Sequence, residues 1–214
     1  MGNETKYEWN LAYRIDHWVR VIAIGILIFT GFFTHSPFIK GGPDSYVYVW
    51  MRCFHILAAY TLVLGFIVRV YLAFNSRFSA DWKDFSIGKN LAGVPDTLAY
   101  YLFLKGTYKD TGRYNPLQAL GYLFMGLMII FMGVSGSALY RGSAFGFLNG
   151  ANLFAWFTNM MGGLSYVRMW HYLGMWVFIL FILVHVYLSL LASIAKKDKS
   201  FTAIFTGYKV KKSA

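Results

Sequence analysis

Four of the five histidines, His17, His55, His171 and His185, lie in or at the edge of long apolar runs. An imidazole in hydrocarbon is costly, so it either bridges to a neighbouring helix or holds a metal. For any one of these residues alone, both roles are open. Spacing separates them. His171 and His185 are fourteen residues apart within one apolar run. At about 100° and 1.5 Å per residue, a helix brings them to within about 40° of one face and about 21 Å apart along its axis. One helix thus offers an imidazole near each surface of a bilayer. Matched with histidines from other helices, they make two bis-histidine sets of the kind that hold haem iron for one-electron transfer. Zinc or copper fits less well, because zinc usually takes four ligands and no acid or thiol lies at the right depth. His35 is eighteen residues from His17 and would share its face if the helix continued. It stands beside Pro37 and the Gly41-Gly42-Pro43 turn, so we expect it in a solvent-facing loop.

The elements that must carry these histidines are helices in a membrane. The 214 residues are 57% hydrophobic and 14% charged, too little charge for a soluble surface of this length. Four runs reach roughly the ~20 residues that cross hydrocarbon. They predict an all-α membrane protein, a four-transmembrane-helix bundle holding two b-type haems. The spans are 18–33, 54–74, 119–140 and 169–193, within one integral membrane domain over 1–214. Leu11 to His17 can continue the first span as interfacial helix. No repeat or linker suggests a second domain, and no cleavable signal peptide is expected ahead of the first span. Cys53, the single cysteine, reads as a packing residue and excludes a multi-cysteine metal site built by this chain alone.

The net charge of +11 follows topology rather than nucleic-acid binding, since the basic residues sit between apolar runs. Of the twenty Lys and Arg, only Lys40, Arg52, Arg141 and Arg168 fall in the first and third connections. The rest lie in the N-terminus, the second connection and the C-terminal tail, which places both termini in the cytoplasm. His17 then lies at the inner side and His55 near the outer surface. On the fourth span His171 is outer and His185 inner. The pairs are His55 with His171, and His17 with His185. The segment from Asn75 to Tyr114 mixes aromatics with lysines and is expected to lie partly in the cytoplasmic interface as amphipathic helix. The Gly-, Phe- and Met-rich stretch from Arg141 to Val167 is either a partner-docking surface or headgroup-embedded. Gly25, Gly65, Gly126, Gly133, Gly136 and Gly174 suit close helix packing, room for a flat porphyrin, or both. Arg20 and Arg69 are explained as inner-side charges and could also pair with haem propionates.

With these residues placed, the chain resembles the cytochrome b subunit of membrane-bound nickel–iron uptake hydrogenases. The resemblance is carried by Trp170-His171-Tyr172-Leu173-Gly174-Met175-Trp176 and His185-Val186-Tyr187. Arg14-Ile15-Asp16-His17-Trp18, Arg69-Val70-Tyr71, Tyr101-Leu102-Phe103-Leu104 and Gly207-Tyr208 support it. It covers nearly the whole chain and implies a bacterial inner-membrane subunit of an oligomeric complex, set in lipid. Hydrogenase small and large subunits on the periplasmic side would deliver electrons to the haem at His55 and His171. They would pass to the haem at His17 and His185 and reduce a quinone, with menaquinone favoured, near the cytoplasmic face. The hydrogen-activating site would lie in the partner, since nickel–iron chemistry needs cysteines this chain lacks.

The related formate dehydrogenase cytochrome b subunit has a Tyr-Asn-x-x-x-Gln-like stretch that contributes to quinone binding. Here Tyr114-Asn115-Pro116-Leu117-Gln118 corresponds, with Gln118 one residue earlier. From the residues themselves, Asn115 and Gln118 can offer amide donors to a quinone carbonyl. Asn115 before Pro116 is equally a helix N-cap, and the two roles are compatible. Quinone reduction takes up protons, for which Asp16 beside His17 is the nominee. Two other functions fit the chain: the same role beside formate dehydrogenase or another periplasmic oxidoreductase, and a non-redox membrane scaffold or transporter.

Overall fold

The computed structural model describes residues 4–39, 45–75, 81–107, 114–140, 142–144, 148–196 and 198–211. The Gly41-Gly42-Pro43 turn, Lys40 and Arg141 lie outside the described residues, as do parts of the second connection. Four long helices dominate: α1 (Leu11–His35), α2 (Tyr46–Phe74), α4 (Pro116–Leu139) and α7 (Leu164–Lys196). Each is long and apolar enough to cross a membrane. They outrun the expected spans; on α1, for example, Leu11 to His17 continue the helix. α1 starts at Leu11, where Asn10 caps it by accepting from the Tyr13 backbone N–H at 3.0 Å. It ends with His35 itself, and the Ser36 N–H closes onto the Phe32 carbonyl at 2.9 Å. His35 is therefore not a loop residue. It is exposed at a helix terminus and stacks on Tyr172, ring centres 3.8 Å apart.

The chain divides into two compact units, and the boundaries fall inside α2 and α4. The first comprises residues 1–65 and 132–214. On α1 its buried residues are Tyr13, Asp16, Ala23, Thr30 and Phe33, spaced three or seven apart so that they form one stripe. α1 packs against α7. Outward-facing Leu, Ile, Val and Phe side chains cover the long helices, as expected where lipid is the solvent. The connection between α4 and α7 carries a small β2–β3 pair (Ser143–Ala144 and Leu148–Asn149) and two short helices, α5 (Gly150–Leu153) and α6 (Ala155–Met160). Leu153, Trp156 and Met160 are exposed there.

The sequence reading missed how the two ends meet. β1 (Glu4–Tyr7) pairs antiparallel with β4 (Tyr208–Lys211), in the register Tyr7 to Tyr208. Both termini therefore lie on one side of any membrane the four helices cross. Helix α8 (Ser200–Thr206) leads into β4 through Gly207 at φ +89°. That carbonyl accepts from the Glu8 and Trp9 N–H groups at 2.8 and 3.2 Å. A Cβ at Gly207 would lie 3.0 Å from the Trp9 carbonyl oxygen, so both backbone conformation and space call for glycine. The Arg14 guanidinium donates to the Phe205 carbonyl, and Phe205 packs on Trp18 at 4.7 Å.

Asp198 anchors the same tail. Burial alone would raise its pKa, but the Ser200 N–H at 2.9 Å and the Lys209 ammonium at 3.1 Å overcome this and hold it below the ordinary carboxylate value. Its folded pKa is depressed, so its stabilising contribution is complete above the unfolded value of about 4. That contribution is lost as pH falls through the folded value. We expect hydrogen exchange in residues 198–211 to accelerate on acidification below about pH 4, and Asp198→Asn to exchange faster at pH 7 with less further change in acid. An equal pH response in wild type and variant would exclude this anchor.

The second unit, residues 66–131, holds the ends of α2 and α4 that face the connection between them. A 3-10 turn at Trp82–Phe85 precedes α3 (Ile87–Tyr101). α3 buries its polar Asn90 and Thr97, whereas Ile87, Leu91 and Leu98 face outward. The Asn90 amide donates to the Asp84 and Ser86 carbonyls at 2.7 and 2.9 Å, and the Thr97 hydroxyl to the Gly93 carbonyl at 2.9 Å. Apolar residues outward and satisfied polar residues inward suit a helix lying against an apolar solvent.

Candidate haem and quinone sites

All four candidate ligands fall in the first unit. His55 on α2 and His171 on α7 face each other, ring centres 6.4 Å apart and planes inclined by 61°. Two axial imidazoles on one iron require about 6 Å, from two metal–nitrogen bonds of about 2 Å and about 1 Å from each nitrogen to its ring centre. The observed spacing fits. The Thr30 hydroxyl lies 2.8 Å from His55 Nδ1, and the Ser135 hydroxyl 2.8 Å from His171 Nδ1. Gly136 makes room for His171: a Cβ there would come within 3.2 Å of the ring carbon Cε1. Gly25, by contrast, faces open space, with nothing within 4 Å of where its Cβ would be.

His17 on α1 and His185 on α7 stand on two helices of the first unit that pack on each other. His185 stacks on Phe181 at 5.7 Å with planes only 9° apart, and His17 meets the edge of Trp18 at 5.4 Å. His17 Nδ1 is buried with no hydrogen-bond partner. Helix α7 runs unbroken through His171 and His185, so the two rings are about 21 Å apart along it. Among the described residues no group of three or more His, Cys, Asp or Glu could hold a metal ion. A two-imidazole set suits an iron whose other four positions a porphyrin supplies.

The quinone candidates divide between the units: Asp16 is in the first, and Tyr114, Asn115 and Gln118 are in the second. Asp16 is buried and accepts from Arg20 Nη2 and Nε at 2.6 and 3.0 Å. Arg69 grips Asp81 through two nitrogens at 2.7 and 3.3 Å. Both arginines that could have met propionates are thus paired with carboxylates. Tyr114 donates to the same Asp81 at 2.7 Å. Its phenol is held protonated well above the usual range, chiefly by burial and then, against the pull of Arg69, by Asp81. Asn115 and Gln118 form a reciprocal cap. The Gln118 N–H donates to Asn115 Oδ1 at 2.8 Å, and the Asn115 N–H to Gln118 Oε1 at 3.3 Å. The Asn115 amide also donates to the Tyr101 hydroxyl at 3.0 Å. Capping is thus formed in the structure. Sequence reasoning missed Thr30, Ser135 and Asp81, and named Tyr101 only as part of the resemblance; a hydroxyl inside an apolar span was the available signal for the first two.

Four helices long and apolar enough to cross a membrane, with the His55 and His171 rings facing each other, suit the class of multi-pass membrane haem proteins. The family described as prokaryotic cytochrome b561 matches residues 8–207, and the chain belongs to that family. It is similar to proteins described as the probable Ni/Fe-hydrogenase B-type cytochrome subunit. That of Azotobacter vinelandii is 30% identical, covering 95% of this chain and 88% of the relative. The Cupriavidus necator counterpart is also 30% identical, over 95% and 86%. The corresponding hydrogenase 1 subunit of Escherichia coli K12 is 29% identical, over 95% and 90%. A b-type cytochrome carries haem b, which the donor set accommodates.

Proposed function

We propose that this chain is the di-haem membrane cytochrome b subunit that carries electrons from a periplasmic nickel–iron hydrogenase to the membrane quinone pool. The facing His55 and His171 rings, at the spacing one iron requires, carry the reading. His17 and His185 would hold a second haem b, and each haem supplies one-electron transfer when bound. The relatives named as hydrogenase B-type cytochrome subunits favour a hydrogenase partner over formate dehydrogenase. The chain works as one integral membrane domain over 1–214 in the bacterial inner membrane. The excess of Lys and Arg in the terminal and second-connection segments supports cytoplasmic termini. The outer connection, with Leu153, Trp156 and Met160 exposed, then faces the hydrogenase small and large subunits.

Tyr114, Asn115 and Gln118 remain the proposed quinone contacts, and Asp16 the proposed proton source, with menaquinone the favoured quinone. Asn115→Asp keeps a good N-cap but removes the amide donor. We expect quinone reduction to fall about fivefold, the worth of one net hydrogen bond of about 1 kcal/mol, with both haems still bound. Loss of haem or of folding would assign Asn115 to capping alone. The central test is haem quantitation with a reduced-minus-oxidised spectrum on the purified complex. Two haem b per chain and co-purified nickel are expected. No b-type band overturns the haem reading, and a molybdenum or tungsten partner overturns the hydrogenase reading.

A further inference from the structure

We propose that Thr30 and Ser135 are positioning residues that fix the tautomers of His55 and His171 and lower the redox potential of the metal site between them. The inference rests on the bis-histidine reading above.

A hydroxyl has one proton. Thr30 Oγ1 lies 2.6 Å from the Ile26 carbonyl oxygen one turn back, and donates there. Toward His55 Nδ1, 2.8 Å away, it can then only accept. Nδ1 therefore carries the ring hydrogen, and the lone pair is on Nε2. Ser135 offers a matching pair of contacts, its hydroxyl 3.3 Å from the Met132 carbonyl and 2.8 Å from His171 Nδ1. It accepts from Nδ1 when, as ligation through Nε2 requires, that nitrogen carries the ring hydrogen. Thr30 and Ser135 are 2% and 0% exposed, so water does not compete for either hydroxyl. With the opposite roles, each Nε2 would carry the hydrogen and neither ring could ligate a metal. The two hydroxyls thus present two Nε2 lone pairs.

Each of the four spanning helices gives one residue to this set: Thr30 from α1, His55 from α2, Ser135 from α4 and His171 from α7. An accepting oxygen on Nδ1–H raises the basicity of the ligating nitrogen. A more basic ligand favours the more oxidised iron and so lowers the potential. The inner pair lacks this at His17, whose Nδ1 is buried without a partner. At the His55–His171 site both ligating rings carry this bond, so removing either hydroxyl should raise the potential there.

The test uses the full chain in its complex, with Thr30→Val, Ser135→Ala, their double variant and Thr30→Ser. In each single hydroxyl deletion one haem midpoint potential should rise while the other stays, and the double should rise furthest. Haem transfer to apomyoglobin should accelerate about 10- to 100-fold from that site only. Thr30→Ser, which keeps the acceptor, should restore the wild-type potential. Unchanged potentials and transfer rates in the double variant overturn the proposal, as does a Thr30→Ser shift equal to that of Thr30→Val. If Thr30→Val does not fold, Ser135→Ala decides by the same readouts. His171→Ala separates the two levels. Full haem retention there sinks the ligand assignment itself, whereas loss of one haem with silent hydroxyl variants sinks only this inference.

Discussion

On the proposed di-haem reading, replacing His171 by alanine is expected to halve the haem content of the purified chain and to lower quinone reduction by the complex at least about 100-fold, while hydrogen oxidation with a soluble artificial acceptor continues. The expectation follows from the site. His55 and His171 are the only imidazoles facing that gap among the described residues, and a lone imidazole cannot hold an iron from both sides. Outer-shell partners alone are worth about 10- to 100-fold in metal affinity, so loss of a ligand should lower quinone reduction at least about 100-fold. Folding should survive, because the smaller side chain clashes with nothing and α7 keeps its packing against α1. The measurement is pyridine-haemochrome quantitation beside two assays, one with quinone and one with the artificial acceptor. Retained quinone reduction with half the haem would exclude electron entry at this site. Full haem would exclude the ligation.

The four spans were legible because hydropathy is a local property, summed over one segment. Of the histidine pairs expected from charge asymmetry and depth, His55 and His171 come face to face, and their role as ligands belongs to the proposal above. What closes through space was not legible. Thr30 and His55 are twenty-five positions apart, and Ser135 and His171 thirty-six. A hydroxyl in a span announces only that it needs a partner, not which one. His35 illustrates a different failure. Pro37 and two glycines nearby argued for a loop, yet the helix runs through His35; the ring is exposed, as expected, and stacks on Tyr172. Asn115 carried two readings in sequence; its bonds to Gln118 and Tyr101 show that the cap is made. The tail was the least legible part, since β1 and β4 pair across almost the whole chain.

Replacing Asp81 by alanine is expected to be the most destabilising single change in the second unit. Its carboxylate side chain is fully buried and takes hydrogen bonds from Arg69 and the Tyr114 hydroxyl. The Asp81 backbone N–H also bonds the Ala73 carbonyl at 3.1 Å, closing the chain just beyond α2. Arg69 lies over the Phe85 ring at 5.7 Å, and Tyr114 packs between Phe85 and Tyr122, each ring centre 5.3 Å away. The cluster thus ties the end of α2 to the 3-10 turn and to the residue preceding the Asn115 cap. Removing the carboxylate leaves a guanidinium and a phenol in a low-dielectric site, which costs about 3–5 kcal/mol. For a chain of this size that lowers the apparent unfolding midpoint by roughly 10 °C. Deleting the charges together should cost much less, since apolar side chains of similar volume remove the uncompensated cation along with its partner. Arg69→Met/Asp81→Leu is therefore expected to recover most of the midpoint lost by Asp81→Ala, short of what Tyr114 loses with its acceptor. Thermal unfolding in detergent checks both variants. A shift of only a degree or two in Asp81→Ala would mean that water reaches the pair, and a double variant as unstable as the single would mean that the carboxylate acts through its bond to Tyr114 rather than through Arg69.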